Sequence, residues 1–460
     1  MAEPVRHRQT KEAATDMFYL KPPRHISTLP NCDIRPSPQH VRASLRSGHR
    51  SARSARPFRA KLRHLCLGTK GQLHPRDQTL RKLHEWAFLF ISDILRANQE
   101  TKVCVNSQAR GLVESLRQAQ FATLDLMRRA QGHALGAIGF DPAELTHRRL
   151  ASGDHWRLRD YGGPGPETSL LIIAAPIKRP YIWDLGPNVS AIRYCLSHGV
   201  RVYLVEWIAP TPSGGHVGLD ECVRAISECV ARIATEPKAT KPFLIGHSLG
   251  GTLAAVFSAC EPRAVRGLLL LGAPICFQPA TNRFRDALVS MIPPDLSETD
   301  IIPGSLLSHA SAFASPDTFV WSRLIDAAMS IGDLRALEVH ARVERWALDE
   351  APLPGRLVHQ IAEWLYRENR FCRGALTVLG RTIGPSCLDL PTLAVVNTAD
   401  EVAPLASIEP LLDALPTKDV SLIKYPGEIG VALQHLGILV GREAYARIWP
   451  NIIAWLAAHR

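Results

Sequence analysis

The sequence predicts an α/β fold: a mostly parallel sheet with helices on both faces and a helical cap inserted between two late strands. Three observations carry this. From about His147 onward, short and near-continuous apolar segments alternate with helix-length amphipathic ones, the pattern of strands buried on both faces. One such segment, Phe243-Leu244-Ile245, enters Gly246-His247-Ser248-Leu249-Gly250 and continues into small apolar residues as far as Ala259. Between Asn282 and about Arg370 strand signals stop and helical periodicity takes over, with Trp321, Trp346 and Trp364 among its apolar positions.

Taken in order, residues 1–76 read as a disordered basic extension, rich in Ser, Arg, Pro and Gly and without helical or strand period. The chain's net charge of +11 is concentrated there: Ile34 to Arg76 holds nine arginines, two lysines and no carboxylate. The near-neutral remainder argues against a nucleic-acid partner. A basic arm on nucleic acid or an anionic surface and an organellar leader are competing readings of the extension alone, with a plain unstructured extension favoured over both. Residues 77–145 form a helical region of two amphipathic segments, Leu80 to Ile94 and Leu112 to Met127, set to pack on the main domain or on a partner.

The core then comes in two parts, 146–281 and 371–460, around the cap at 282–370. Its strands are expected at Ser169–Ala174, Val200–Trp207, Pro242–Ile245, Leu268–Leu271, Thr392–Val396 and Val420–Tyr425. Helices are expected at Val189–Leu196, stopped by Gly199, at Leu219–Ala234, and at Glu443–Ala458. No apolar run reaches the roughly 18 to 20 residues of a membrane span. Ten cysteines scattered singly, with no C-x-x-C pair, fit free thiols in a reducing cytoplasm.

Strand, G-x-S-x-G, helix is the context of a nucleophile elbow, in which glycines permit a tight turn that lifts the serine hydroxyl above the sheet edge. A serine nucleophile needs a base oriented by a carboxylate, and in an α/β-hydrolase fold the three occur in the order Ser, Asp/Glu, His. Asp400 follows the Thr392–Val396 strand, and His435 follows the next one. The candidate catalytic residues are therefore Ser248, Asp400 and His435. Asp389, before Pro391, is the competing carboxylate and reads as a turn residue; His309, His340 and His359 fall in the cap. The oxyanion needs two backbone N–H donors, assigned to Leu249 and to Ile177 in the loop after Ser169–Ala174. Lys178 and Arg179 read as an exposed, solvated pair, and His247 as pointing away from the nucleophile, with a supporting role at most. With no phosphate loop, dinucleotide fingerprint or metal motif, the chemistry is acyl transfer with neither cofactor nor metal.

Several stretches resemble polyhydroxyalkanoate synthases, especially the class III type. They are Arg179-Pro180-Tyr181-Ile182-Trp183-Asp184-Leu185, Gly199 to Trp207, Ile302-Pro303-Gly304 with Leu306-Leu307, Arg345 to Asp349, and Leu365 to Arg370 with Arg373-Gly374. The resemblance covers roughly residues 145–460. It implies an α/β-hydrolase core with a helical cap that polymerises 3-hydroxyacyl-coenzyme A, so that a coenzyme A thioester would be substrate. By motif, the nucleophile falls on Ser248, the acid on Asp400 and the base on His435. Two departures stand out: serine replaces the synthases' cysteine, and Gln434-His435-Leu436-Gly437 replaces their Gly-His. The expectation is a cytoplasmic, polyester-granule-associated acyltransferase. A serine esterase or depolymerase and a non-catalytic granule-bound relative are the alternatives. A homodimer and a synthase-type partner subunit are left open.

Overall fold

The computed structural model describes residues 107–163, 168–211, 216–278, 280–292, 298 and 300–460. The basic extension and the first amphipathic segment lie outside the described residues. Eight strands form one sheet: β1 Arg148–Ser152, β2 Trp156–Asp160, β3 Ser169–Ile173, β4 Arg201–Trp207, β5 Phe243–His247, β6 Leu268–Leu271, β7 Thr392–Asn397 and β8 Val420–Tyr425. Their spatial order is β1-β2-β4-β3-β5-β6-β7-β8. Only β2 runs against its neighbours; the pairs from β4 through β8 are parallel.

Alternation along the buried strands makes two cores. Leu171, Ile173, Leu244, Leu268, Leu270, Ala394 and Val396 face one side, where α3 (Leu219–Ala234) and α4 (Leu249–Cys260) pack. Leu170, Ile172, Phe243, Ile245, Leu269, Leu271, Leu393 and Val395 face the other, against α2 (Ala191–Ser197) and the C-terminal α10 (Trp449–Ala458). Every residue of α4 is buried, which explains why that helix is apolar all round rather than amphipathic.

Strands β1 and β2 carry no apolar run and were not anticipated from the sequence. β1 is an exposed edge, and β2 mixes Trp156 and Leu158 with Arg157, Arg159 and Asp160. Their buried charges are paired: Arg159 with Glu206 and Glu144, Asp160 with Arg148 and Arg201.

The cap comprises α5 Arg283–Met291, α6 Gly304–Ala314, α7 Ser322–Ser330, α8 Leu334–Ala347 and α9 Gly355–Gln360, the last running on through Ile361–Arg367. It reaches the loops beyond the C-terminal ends of β3, β7 and β8. Glu350 bonds Lys178 at 2.7 Å, Trp346 Nε1 donates to Arg179 O at 2.8 Å, and Thr318 donates to Glu401. The N-terminal α1 (Ser107–Leu135) packs on this cap: Asp125 accepts from Ser305 N at 3.0 Å, and Arg128 meets Ala347 O and Glu350. Two sequence expectations are corrected here. Lys178 is not solvated, because its ammonium is enclosed against Glu350 and Ala347 O, and burial drops its pKa to about 8 despite that partner. Nor are all the cysteines free: Cys276, beyond β6, and Cys372, beyond the cap, are joined in a disulfide across 96 residues.

The turn between β5 and α4 tolerates no side chain at its glycines. A Cβ on Gly250 would lie 2.2 Å from Ile173 O, and one on Gly246 would lie 2.4 Å from the Gly250 carbonyl carbon. Gly250→Ala is expected to destabilise the protein by about 1–3 kcal/mol through overpacking against main chain. Gly332→Ala, where a Cβ meets nothing within 4 Å, serves as control. Urea unfolding of the two variants checks this; equal midpoints would show that the close approach is not what holds the turn.

Candidate active site

Ser248 has φ 54° and ψ −132°, a conformation that costs of order 1–3 kcal/mol for a residue with a side chain. Its surroundings hold it there. Ser248 N donates to Leu271 O at 3.1 Å, its carbonyl accepts from Gly251 N and Thr252 N, and Thr252 Oγ1 donates to Pro274 O at 2.8 Å. The turn sets the half-buried Ser248 at the head of α4. Leu249 is the first residue of that helix, so its N–H has no partner within the helix and lies at the positive end of the helix dipole.

Asp400 and His435, 35 positions apart, meet at the same sheet edge: Nδ1–H of His435 donates to Asp400 Oδ2 at 2.7 Å. The other carboxylate oxygen accepts from Val402 N at 2.8 Å and Ala403 N at 3.1 Å. Burial alone would push the Asp400 carboxyl up. The charge and hydrogen bond of His435, with the two backbone donors, outweigh it and hold the group below the usual carboxylate range. This pairing fixes the imidazole tautomer, leaving Nε2 as the acceptor. Nε2 is buried without a hydrogen-bond partner, so the Ser248 hydroxyl is not bonded to it in this structure; such bonds often tighten only when substrate is present. Asp389 takes no part in the Asp400–His435 pair.

His247, expected to have a supporting role at most, braces His435. Its Nε2–H donates to His435 O at 2.7 Å, and the two rings lie 4.5 Å apart between centroids. Burial, then the neighbouring His435, lowers its pKa to about 3, so His247 stays neutral. Asn397, at the end of β7, donates to Gln434 O at 2.9 Å and so holds the residue before His435. Gly272, at φ 48°, lies beside the pair, where a Cβ would make only an ordinary contact with Asp400 Oδ2 at 3.4 Å. These contacts join residues far apart in the chain, and no local pattern signals them.

Ile177 lies in the loop beyond β3, half-buried among Ile302, Leu353 and Val358. The next residue, Lys178, is bridged to Glu350 of the cap. A cavity of ≈ 700 Å³ opens beside this loop, with Pro176, Trp207, Arg224, Leu353 and Arg356 in its lining; none of Ser248, Asp400 and His435 lines it. Among the described residues no group of three or more His, Cys, Asp or Glu side chains is placed to hold a metal ion. No helix among them is long and apolar enough to cross a membrane.

Residues 183–427 match the family described as alpha/beta hydrolase fold. The chain belongs to that family. By sequence it is similar to the poly(3-hydroxyalkanoate) polymerase subunit PhaC of Haloferax mediterranei, 26% identical over 70% of this chain and 65% of the relative's length. It is equally similar to the subunit of the same name from Allochromatium vinosum, 26% identical over 70% of this chain and 91% of that one. The chain thus spans just under two thirds of the Haloferax relative's length and most of the Allochromatium one's.

Because His247 is buried and neutral, the folded protein refuses a proton that the unfolded chain accepts below about pH 6.5. Stability is expected to be fully present above that value and to fall as pH drops toward about 3, by up to about 1.4 kcal/mol per pH unit. The Asp400 carboxylate adds its own loss only below the ordinary carboxylate range of about 3.9. Urea midpoints of wild type and His247→Phe at pH 7 and pH 5 check this: the variant should lose less between the two, and an equal loss would assign the slope elsewhere.

Proposed function

We propose that this chain is an acyltransferase of the polyhydroxyalkanoate-synthase type, with Ser248 as nucleophile, His435 as base and Asp400 as the orienting acid. The observation that carries the proposal is the Asp400–His435 pair, its Nε2 unbonded, on the sheet edge that bears the strained elbow serine. Similarity to poly(3-hydroxyalkanoate) polymerase subunits supports 3-hydroxyacyl groups as the acyl class.

In the first step Ser248 Oγ attacks the carbonyl carbon of a 3-hydroxyacyl thioester as His435 Nε2 takes its proton. Charge collects on the carbonyl oxygen, where the Leu249 and Ile177 N–H groups are the proposed donors. The C–S bond breaks and the thiol leaves with the proton from His435, which leaves an acyl ester on Ser248. A hydroxyl of a second hydroxyacyl group, deprotonated by the same base, then attacks that ester; the acyl–serine bond breaks and His435 returns the proton to Ser248 Oγ. On this reading the enzyme works in the cytoplasm at the surface of its polymer, and its substrate brings the coenzyme A.

Serine in the elbow favours a second reading. A cysteine would hold the acyl group as a thioester, still activated, whereas serine holds it as a more stable oxygen ester. Water then competes better as acceptor, and the chain acts as a serine esterase or depolymerase on hydroxyacyl esters.

Incubation with 3-hydroxybutyryl-coenzyme A, scoring polymer against free acid, separates the two. Ser248→Ala should lower turnover by about 10⁴- to 10⁶-fold whichever product forms; undiminished turnover would exclude Ser248. Ser248→Cys should raise polymer relative to free acid, and an unchanged ratio would mean that the nucleophile's identity does not decide the outcome.

A further inference from the structure

The cap carries a buried carboxylate whose oxygens are given to the loop that ends in His435. Asp326 lies on α7 with 8% of its surface exposed. Its Oδ1 accepts from Gly430 N at 2.7 Å, and its Oδ2 accepts from Ala432 N at 2.8 Å and from His340 Nδ1 on α8 at 2.9 Å. Behind His340 stands Glu344, 3.7 Å from Nε2 and paired with Arg323. The carboxylate is thus spent on hydrogen bonds to main chain and to one histidine. Burial would push its pKa up, but these donors outweigh it and hold the group ionised.

The ends of the loop are tied by Gln434, which accepts from Glu428 N at 3.1 Å and donates to Glu428 O at 2.7 Å, and its middle is held by Asp326. Between Tyr425 and Gln434 the chain forms no helix or strand, and Ala432 sits at φ 60°, left-handed for a residue with a side chain. Gly430, at φ 86°, is pressed against α8 so closely that a Cβ there would come within 2.8 Å of Ala336 Cβ. Val431 and Ala432 are buried against Val343 of α8 and the sheet. Three residues after Ala432 comes His435. Asp400 and His247 hold the imidazole and the carbonyl of His435, while Asp326 holds the backbone that leads to it.

We propose that Asp326 is a positioning residue through which the cap sets the place of His435. The inference rests on His435 being the base of the reaction proposed above. Asp326 reaches His435 through the 430–432 backbone, so its loss should slow the base-dependent step while leaving the fold in place. The same cap makes a second tie, from Thr318 to Glu401 beside Asp400; both partners of the acid–base pair therefore sit on loops that the cap touches.

The test uses the full chain and two readouts: the rate at which a fluorophosphonate labels Ser248, and amide exchange of the peptide covering 428–434. In Asp326→Asn the amide supplies one acceptor oxygen and turns an N–H₂ toward the loop donors. Labelling should slow by about 10- to 100-fold, the cost of a small misplacement of a catalytic group, and exchange should rise in 428–434 while α3 and α4 exchange as in wild type. Labelling at the wild-type rate would overturn the inference. Should the variant fail to fold, wild type alone still decides: the 428–434 amides are expected to exchange as slowly as those of α7, and free exchange in the folded protein would overturn it. Ser248→Ala in parallel keeps the two questions apart, since labelling that persists in that variant overturns the site reading instead.

Discussion

The approach of the α4 N-terminus to the ends of β3 and β5 is the constraint on which the remaining architecture depends. At Gly250 and Gly246 the main chains lie too close for any Cβ, and Ser248 between them is forced to a positive φ. Such strain persists only where the surroundings over-determine it. Here a wholly buried helix, a sheet buried on both faces and the Thr252 anchor to Pro274 share the task. The result is a serine at the carboxyl edge of the sheet with a helix N-terminus directly behind it. Everything else of chemical interest has to come to that edge, and it arrives on the loops after β3, β7 and β8.

What the sequence made legible follows from this geometry. Strands buried on both faces are continuous apolar runs, so β3, β4, β5, β6 and β7 could be read within a residue or two. The order of Ser248, Asp400 and His435 along the chain then followed from strand order. What escaped was settled by partners distant in sequence. β1 and β2 look like surface because their arginines and aspartate are paired across the sheet edge and with α3's neighbours. Lys178 looks solvated until Glu350, 172 positions later, closes on it. Cys276 and Cys372 read as two of ten solitary thiols for the same reason. His247 contacts a carbonyl 188 positions away, and Asp326 serves amides 104 and 106 positions away. Each of these residues is polar, and a polar residue's role is set by its partner, which periodicity does not reveal.

The cap is joined to the core by apolar side chains, Leu357, Ile361 and Leu365 on one face of the sheet and Val343 on the other, and by buried charged groups. Lys178, Arg128 and Glu350 form one buried group beside the Ile177 loop; Asp326 and His340 form another beside the His435 loop. Buried ion pairs contribute little net stability, because desolvation offsets the attraction, but breaking one partner is costly and only one arrangement satisfies all of them. Such contacts suit a cap that must keep one register over the sheet edge. The helix α7 is held through Arg323 and Asp326 and leaves Leu324, Ile325 and Met329 exposed.

The identity of the nucleophile sets how much that register matters. A thiol has a pKa near 8.5, far below an alcohol's, and can attack partly on its own ionisation. A serine hydroxyl must lose its proton as it attacks, so its rate depends on an imidazole held at hydrogen-bond distance and angle. On the proposed reading, replacing cysteine by serine moves the burden of activation from the nucleophile to the base. His435 is correspondingly held three ways: by Asp400 at Nδ1, by His247 at its carbonyl, and by Asp326 through the loop behind it. One of the three comes from the cap, so whatever displaces the cap also displaces the base. In a chain with cysteine at the elbow that coupling would matter less; with serine there, cap position and nucleophile activation become one variable.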